Sequence, residues 1–500
     1  MANSLHLTQD RETIESYDLN PPFASARVVQ DSSRGNTIYL VDEPDMSTDD
    51  LTHIKNLKSY LYQVLDVDMN DIATKEAAQK YLSSKISEVI KNHKFKITPQ
   101  TIEKLQYYMI RDHLGFGKID PLMHDTMIED ISCDGVNIPI YIWHRKYESV
   151  PTNVIFQTAK ELDSFALRLA YLCGRHVSIA QPMLDASLPE GSRLNLTFSN
   201  EVTRKGSTFS IRKFNIDPIT IIDLINFNTL SAEMAAYFWY AIENRISILV
   251  SGGIAAGKTT TLNCMSMFIE PDLKIVSIED TPELNLPHQN WIPAITRTHF
   301  GLGTSYSDIT LFDLLQSSLR QRPDYIIVGE VRGSEAYTLF QAISTGHLGM
   351  STIHGESVNA VVYRLESEPM NIPRTLISGI DIITVQKRVS SHGQHSRRLV
   401  STTEIVGLDP GSKEILTNEV YKWNAETDNY DFTGRSYLIE RASLKNGIPL
   451  EEANREIQRR KLVLEWMVKK NVSNYRDVSD TVRRYYENPD AVYKEAKENE

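Results

Sequence analysis

Apolar and polar residues alternate with a different period in each part of the chain, and the first region has the period of a helix. Five apolar residues recur there at intervals of three or four: Leu51, Ile54, Leu57, Leu61 and Leu65. This spacing predicts an amphipathic helix, for which Ser47 or Thr48 would serve as the N-terminal cap. Since the residues at the start of the chain are polar, we predict a helical N-terminal extension over residues 1–95.

The next region mixes strand and helix patterns. Residues 138–143 form an apolar extended run, residues 162–173 repeat with a helical period, and residues 208–213 alternate between apolar and polar. We therefore predict a small α+β domain over residues 96–216. A proline marks a turn just after this domain, and we place a linker over residues 217–231.

The remaining residues divide into a long α/β region and a helical tail. Apolar strands alternate with helices over residues 232–435, which is the pattern of a parallel α/β sheet. Residues 436–500 carry apolar side chains on one helical face among many charges, which predicts amphipathic helices. The side chains that define this face are Ile457, Leu464, Met467 and Val468.

A glycine-rich loop follows the apolar run 246–250 and leads into a helical segment. The loop has the pattern GxxxxGK[ST], in which backbone N–H groups surround phosphate oxygens at the start of a helix. In this pattern Lys258 neutralises the β- and γ-phosphates, and Thr259 offers its hydroxyl to Mg²⁺. We therefore predict a site for ATP and Mg²⁺. The residues expected to contact the nucleotide are Gly252, Gly253, Ala256, Gly257, Lys258, Thr259 and Thr260.

Acidic residues end two of the predicted strands. Glu279 and Asp280 end one apolar run, and Glu330 ends another. Because the carboxyl ends of parallel strands meet at one edge of a sheet, we expect these carboxylates to lie beside the phosphates and to hold Mg²⁺ or orient the attacking water. Glu330 is the expected metal ligand. A simpler alternative is that Glu279 or Asp280 only caps the turn at 281–282.

Composition narrows the range of functions. The 500 residues suffice for about three domains. A formal net charge of -12 argues against a protein that coats nucleic acid. Three scattered cysteines, Cys133, Cys173 and Cys264, provide neither a disulfide framework nor a zinc site. The chain has no signal-peptide core and no run of about 18 apolar residues, so we expect a cytoplasmic protein that reaches a membrane only through a partner.

Four ordered motifs resemble those of a known family. They are the loop at 252–259, IEDTPEL at 278–284, LRQRPDYIIVGEVRGSEA at 319–336 and TGHLGMSTIHGES at 345–357. This series resembles the Walker A motif, Asp box, atypical Walker B motif and His box of the type II/type IV secretion ATPases. The likeness covers about residues 100–435. The run 363–368 is similar to the archaeal branch, which includes archaellum motors and archaeal pilus ATPases.

The resemblance implies a fold and a set of catalytic roles. The fold is an α/β RecA-like P-loop motor domain preceded by a PAS-like α+β domain. Arg193 and Arg212 would close over the nucleotide and supply positive charge to the γ-phosphate, which His354 would sense. Either Glu330 or Glu279 would activate the attacking water, with Asp280 beside it. Many bacterial relatives carry a tetracysteine zinc insertion, and because this sequence lacks those cysteines we expect no zinc.

The resemblance also implies a function. The leading hypothesis is a homo-hexameric ATPase whose inter-domain movement drives filament assembly or secretion through a polytopic membrane platform protein. Such a motor would contact a pilin-type or archaellin-type filament only indirectly. Two alternatives are a DNA or RNA translocase, which the acidity and the lack of basic-aromatic stretches oppose, and a nucleotide-switched assembly protein with little hydrolysis, which the carboxylates and arginines oppose.

Overall fold

The chain divides into two compact units, Met1–Phe214 and Asn215–Glu500. The computed structural model describes residues 11–31, 36–64, 74–93, 95, 97–214, 218–297, 308–391 and 394–498. In these ranges, none of the helices combines the length and the apolar character that crossing a bilayer requires.

The N-terminal unit is built on one mixed sheet with helices packed against it. Its strands are β1 (Arg11–Asn20), β2 (Ala24–Asp31), β3 (Thr37–Asp42), β4 (Ile128–Cys133), β5 (Pro139–His144), β6 (Glu148–Ile155), β7 (Met183–Ser187), β8 (Arg193–Thr197) and β9 (Thr208–Arg212). They lie in the order β1-β2-β3-β6-β5-β4-β9-β8-β7, and neighbouring strands are antiparallel except for β3 and β6. Its helices are α1 (Thr48–Val64), α2 (Lys75–Asn92), α3 (Pro99–His113), α4 (Asp120–His124) and α5 (Ala159–Leu172).

The extension predicted to be helical over residues 1–95 is helical only from α1 onward in the part that the structure describes. The prediction for its first half is wrong, because β1, β2 and β3 form a sheet there. A half-buried strand shows an apolar side chain only at every second position, so these residues look polar in sequence. Val28 and Tyr39 nevertheless are fully buried in the main core of the unit. The helix predicted around Leu57 is α1, and the Ser47 hydroxyl accepts the Asp50 N–H at its start.

Residues 96–216 contain the mixture of strands and helix predicted for them. The predicted strands at 138–143 and 208–213 correspond to β5 and β9, and the helix at 162–173 corresponds to α5. The assignment of this region as PAS-like stays a prediction.

The C-terminal unit contains the parallel sheet predicted by the alternating pattern. Its strands are β10 (Ile248–Gly252), β11 (Ile275–Glu279), β12 (Trp291–Ile295), β13 (Tyr325–Val328), β14 (Leu348–His354), β15 (Ile382–Ser391), β16 (Gln394–Leu408), β17 (Ile415–Asn424) and β18 (Asn429–Phe432). The order is β12-β11-β13-β14-β10-β15-β16-β17-β18. The strands from β12 to β15 in this order are parallel, and β15 to β18 form an antiparallel meander.

Helices cover this sheet, and one of them lies in the segment that was predicted to be a linker. The helices are α6 (Ile221–Asn226), α7 (Ala232–Glu243), α8 (Lys258–Ser266), α9 (Leu311–Leu319), α10 (Glu335–Ser344), α11 (Val358–Glu366), α12 (Arg374–Ile377), α13 (Tyr437–Asn446), α14 (Leu450–Lys469), α15 (Tyr475–Glu487) and α16 (Pro489–Glu498). The segment predicted as a linker, 217–231, includes α6, whose Ile221 and Ile222 are buried in the core of this unit.

The helical tail predicted over 436–500 is part of the same core. Ile457, Leu464 and Met467 are buried together with the aromatic side chains of α7. Glu404 on β16 is fully buried and fixes the start of α13, because its carboxylate accepts the Tyr437 N–H at 2.8 Å and the Tyr237 hydroxyl at 2.8 Å. The tail therefore packs as an integral layer of the C-terminal unit.

Candidate active site

Strand register brings the predicted catalytic residues of the C-terminal unit to one edge of the parallel sheet. β10 lies between β14 and β15, and Gly252 at its carboxyl end is level with His354. On the other side of β14, the end of β13 is held by two hydrogen bonds to Thr352: the Val331 N–H donates to its carbonyl, and its hydroxyl donates to the Gly329 carbonyl. These bonds fix the turn that carries Glu330 beside the glycine-rich loop.

The loop between β10 and α8 contains two positions at which the backbone geometry favours glycine. Gly257 has φ of 91° at the start of α8, a left-handed conformation that favours glycine. A side chain at Gly252 would place its Cβ 2.3 Å from the Gln386 carbonyl oxygen, so the close approach of β10 and β15 also requires glycine there. Thr259 and Thr260 follow in the first turn of α8 and are half-buried. The N–H groups of this first turn have no partner within the helix and can bind an anion.

Lys258 points back along the loop into the site. Its Nζ donates to the Gly253 carbonyl at 2.9 Å and lies 3.4 Å from His354 Nδ1. Burial lowers the pKa of the Lys258 ammonium, and the neighbouring Glu330 carboxylate counteracts part of that effect. The structure therefore joins Lys258, His354 and Glu330 in one polar cluster.

Glu330 is the carboxylate at the centre of this cluster. Its Oε1 lies 2.9 Å from His354 Nε2, and its Oε2 lies 3.5 Å from Arg332 Nε. Arg332 also contacts Asp280 at 2.6 Å, so it links the two predicted acidic positions. Burial, followed by the charge of Lys258, lowers the pKa of His354. A neutral His354 can accept a hydrogen bond from Lys258 through Nδ1, whereas its contact with Glu330 Oε1 does not have hydrogen-bond geometry.

Glu279 contacts backbone groups of a turn, whereas Glu330 contacts side chains of the cluster. It is buried, and its Oε1 accepts the N–H groups of Glu283 at 3.0 Å and Leu284 at 3.1 Å. These bonds close the turn after β11, as in the capping alternative. Burial raises the pKa of the Glu279 carboxyl to about 7.

The raised pKa of Glu279 predicts a pH-dependent stability. The folded chain holds a proton that the unfolded chain releases at its ordinary pKa of 4.5, so the folded state loses stability as the pH rises from 4.5 to about 7. Glu279→Gln keeps an oxygen for the two N–H groups and does not ionise. The free energy of unfolding in urea should therefore increase for the variant relative to the wild type between pH 5 and pH 8, by up to about 3 kcal/mol. Parallel pH profiles for the two proteins would contradict this account.

A cleft of about 750 Å³ opens beside the loop, and its lining includes residues that were not predicted to belong to the site. It is lined by Gly252, Gly253, Ile254, Arg332, His354, Gly355, Glu356, Ala360, Tyr363, Arg364, Ser367, Glu368, Pro369 and Met370. Arg332 follows Glu330 by two residues, and this short separation could have predicted that Arg332 belongs to the site. Glu356 lies just before α11 in the motif 345–357, and Arg364 lies within α11 in the run 363–368, but neither was predicted as a site residue.

The two predicted arginines lie in the N-terminal unit. Arg193 on β8 and Arg212 on β9 are directly opposite each other across the two strands, and both are exposed. Arg193 contacts Asp185 at 2.7 Å, and Arg212 contacts Asp130 at 3.1 Å. Two like charges in directly opposed positions destabilise a sheet, and the two aspartates offset that cost.

The residues around the loop fit Mg²⁺ better than they fit a transition metal. Among the described residues, no group of three His, Cys, Asp or Glu side chains is arranged to hold a metal ion. Mg²⁺ is usually held by one or two protein oxygens together with phosphate oxygens and water. Thr259 begins the helix after the loop and Glu330 lies beside Lys258, so both predicted oxygen donors belong to the surroundings of the loop, as does the Glu356 carboxylate.

Comparisons with known proteins assign most of the chain to the family that its four motifs resemble. The sequence profile of the type II/IV secretion system protein family matches residues 113–489. The chain is 39% identical over 401 residues to the uncharacterised protein MJ0900 of Methanocaldococcus jannaschii, covering 79% of this chain and 72% of that protein. It is 30% identical over 261 residues to the putative conjugal transfer protein Rv3659c of Mycobacterium tuberculosis, covering 51% and 72%. The solved ATPase DotB of Legionella pneumophila is 16% identical over 73% of this chain and 90% of its own, with a TM-score of 0.41.

Proposed function

Since the chain belongs to the family of type II/IV secretion system proteins and is therefore a P-loop ATPase, we propose that it is the motor of a secretion or type IV pilus-like machine. The observation that carries the proposal is the cluster of Lys258, His354 and Glu330 beside the phosphate loop. A nucleotide-binding switch needs the loop and the lysine, but not a carboxylate held beside them for hydrolysis.

The residues of the cluster divide the reaction between them. The loop N–H groups and Lys258 bind the β- and γ-phosphates, and His354 contacts the γ-phosphate. Glu330 orients the attacking water, because it lies beside Lys258 whereas Glu279 is engaged in the turn after β11. Thr259 and Glu330 would hold Mg²⁺, which neutralises charge on the phosphate oxygens when bound.

Arg193 and Arg212 supply positive charge to the γ-phosphate in this proposal. Their directly opposed positions concentrate two guanidinium groups on one face of a sheet, which suits recognition of a phosphate. We expect Arg212→Ala to lower the kcat of ATP hydrolysis about tenfold or more and to leave nucleotide affinity within about threefold, as for a group that acts in the transition state. Arg27→Ala, which removes an exposed arginine paired with Asp42 in the same unit, is the matched control. Turnover that is equal in both variants would remove Arg212 from the mechanism.

The proposed machine extends beyond the chain itself. We propose a homo-hexamer that works in the cytoplasm on a polytopic membrane platform protein and so assembles a pilus-like or archaellum-like filament, or drives secretion. The family, the archaeal relative and the relative named for conjugal transfer support this setting.

The test is co-purification of the full chain with a candidate polytopic membrane platform protein, followed by an ATPase assay. We expect a complex and a turnover higher than that of the isolated chain. Failure to form a complex, together with stimulation by single-stranded DNA that disappears at raised salt, would favour a nucleic-acid translocase instead.

A further inference from the structure

The phosphate loop is supported on both sides, and the second support comes from the meander. β14 and its His354 flank β10 on one side, while β15 and β16 flank it on the other. Gln386 on β15 is buried, and its Oε1 accepts the Thr261 hydroxyl of α8 at 2.7 Å. One face of the β15–β16 pair therefore faces the loop and the helix that follows it.

Arg397 on β16 contacts the phosphate loop itself from this face. Its Nε donates to the Ala255 carbonyl at 3.2 Å, across 142 residues of sequence. Its Cδ lies 3.2 Å from the position that a Cβ on Gly257 would occupy, so the side chain packs along the loop. The directly opposed residue on β15 is Arg388, so a second guanidinium group belongs to the same face.

The contact is made to a residue of the loop whose backbone conformation is unfavourable. Ala255 has φ of 55°, a left-handed conformation that a residue with a side chain rarely adopts. A phosphate-binding loop must direct its N–H groups to the phosphates, and a carbonyl turned toward them would repel their negative charge. A guanidinium group that binds the Ala255 carbonyl holds that oxygen on the side of β16.

We propose that Arg397 is a positioning residue that keeps the phosphate loop in its nucleotide-binding conformation. The inference rests on the proposed nucleotide site and adds to it a residue from outside the four motifs. Because Arg397 acts on the loop before nucleotide arrives, its loss weakens binding of ATP and ADP alike and leaves the chemical step unchanged.

The experiment measures binding and turnover separately in the full chain. Binding of N-methylanthraniloyl-ADP is followed by fluorescence, and kcat and KM for ATP are measured by phosphate release. Arg397→Ala is expected to raise the dissociation constant and the KM about tenfold, with kcat within about twofold of the wild type. Arg397→Lys, which retains a charged donor without the planar fork, should recover part of the affinity. Lys387→Ala removes an exposed cation from the opposite face of the same strand pair and should change neither quantity.

Each outcome supports or overturns the inference. Wild-type affinity in Arg397→Ala would show that the contact with Ala255 is incidental. A lowered kcat with unchanged affinity would make Arg397 a catalytic cation, which contradicts a positioning role. If the wild-type chain fails to bind the probe, the nucleotide site itself is refuted and the inference falls with it. Circular dichroism and thermal melts of both Arg397 variants distinguish a local effect from loss of the fold.

Discussion

Replacing Lys258 with alanine is expected to abolish ATP turnover. The ammonium group is the cation that the loop brings to the β- and γ-phosphates, and in the structure it also contacts Gly253 and His354. Its removal leaves the phosphate charge uncompensated in a largely buried site. Phosphate release should fall to background, and affinity for N-methylanthraniloyl-ADP should fall by about a hundredfold or more.

A lysine at the opposite end of the sheet provides the control for this variant. Lys274 precedes β11, and its Nζ donates to the Gln321 carbonyl at 2.8 Å, at the amino ends of the strands. Lys274→Ala should retain wild-type turnover. Normal phosphate release by a folded Lys258→Ala protein would contradict the assignment of the loop as the ATP site.

Replacing Glu330 with glutamine should separate binding from hydrolysis. The amide keeps the size of the side chain and removes the negative charge that orients and activates water. We expect ATP affinity within about threefold of the wild type and a kcat lower by about a hundredfold or more. Equilibrium binding and single-turnover phosphate release, measured on the same preparation, give the two quantities.

Glu279→Gln is the comparison that decides between the two carboxylates. In the structure Glu279 accepts two N–H groups in the turn after β11, and glutamine can accept them as well. We therefore expect this variant to hydrolyse ATP at close to the wild-type rate. The reverse result, with Glu279→Gln inactive and Glu330→Gln active, would transfer the role of the base to Glu279.

The features that sequence alone predicted correctly are those encoded over short stretches of chain. An apolar strand, a GxxxxGK[ST] loop and a helix are consecutive, so the loop from Gly252 to Thr259 could be identified without knowledge of the fold. The family assignment from four ordered motifs is likewise confirmed. The general rule that parallel strands end at one edge also placed Glu330 next to the loop, because the rule does not depend on the details of packing.

The features that sequence could not predict depend on contacts between distant residues. Arg397 reaches Ala255 across 142 positions, and no local pattern marks that pairing. β1 to β3 have weak strand patterns and are stabilised by burying Val28 and Tyr39 against residues far along the chain. The roles of Glu279 and Glu330 could not be separated either, since both end apolar strands and only the structure shows which one is occupied by a turn.

The measurement that tests the central claim most directly is the fate of ATP on the Glu330→Gln protein in the presence of Mg²⁺. Filter binding followed by separation of ATP from ADP shows both whether nucleotide is bound and whether it is cleaved. The account predicts that the variant retains ATP uncleaved over a period in which the wild type converts its bound ATP to ADP and phosphate. Cleavage at the wild-type rate would contradict the claim that Glu330 beside Lys258 and His354 forms the hydrolytic centre.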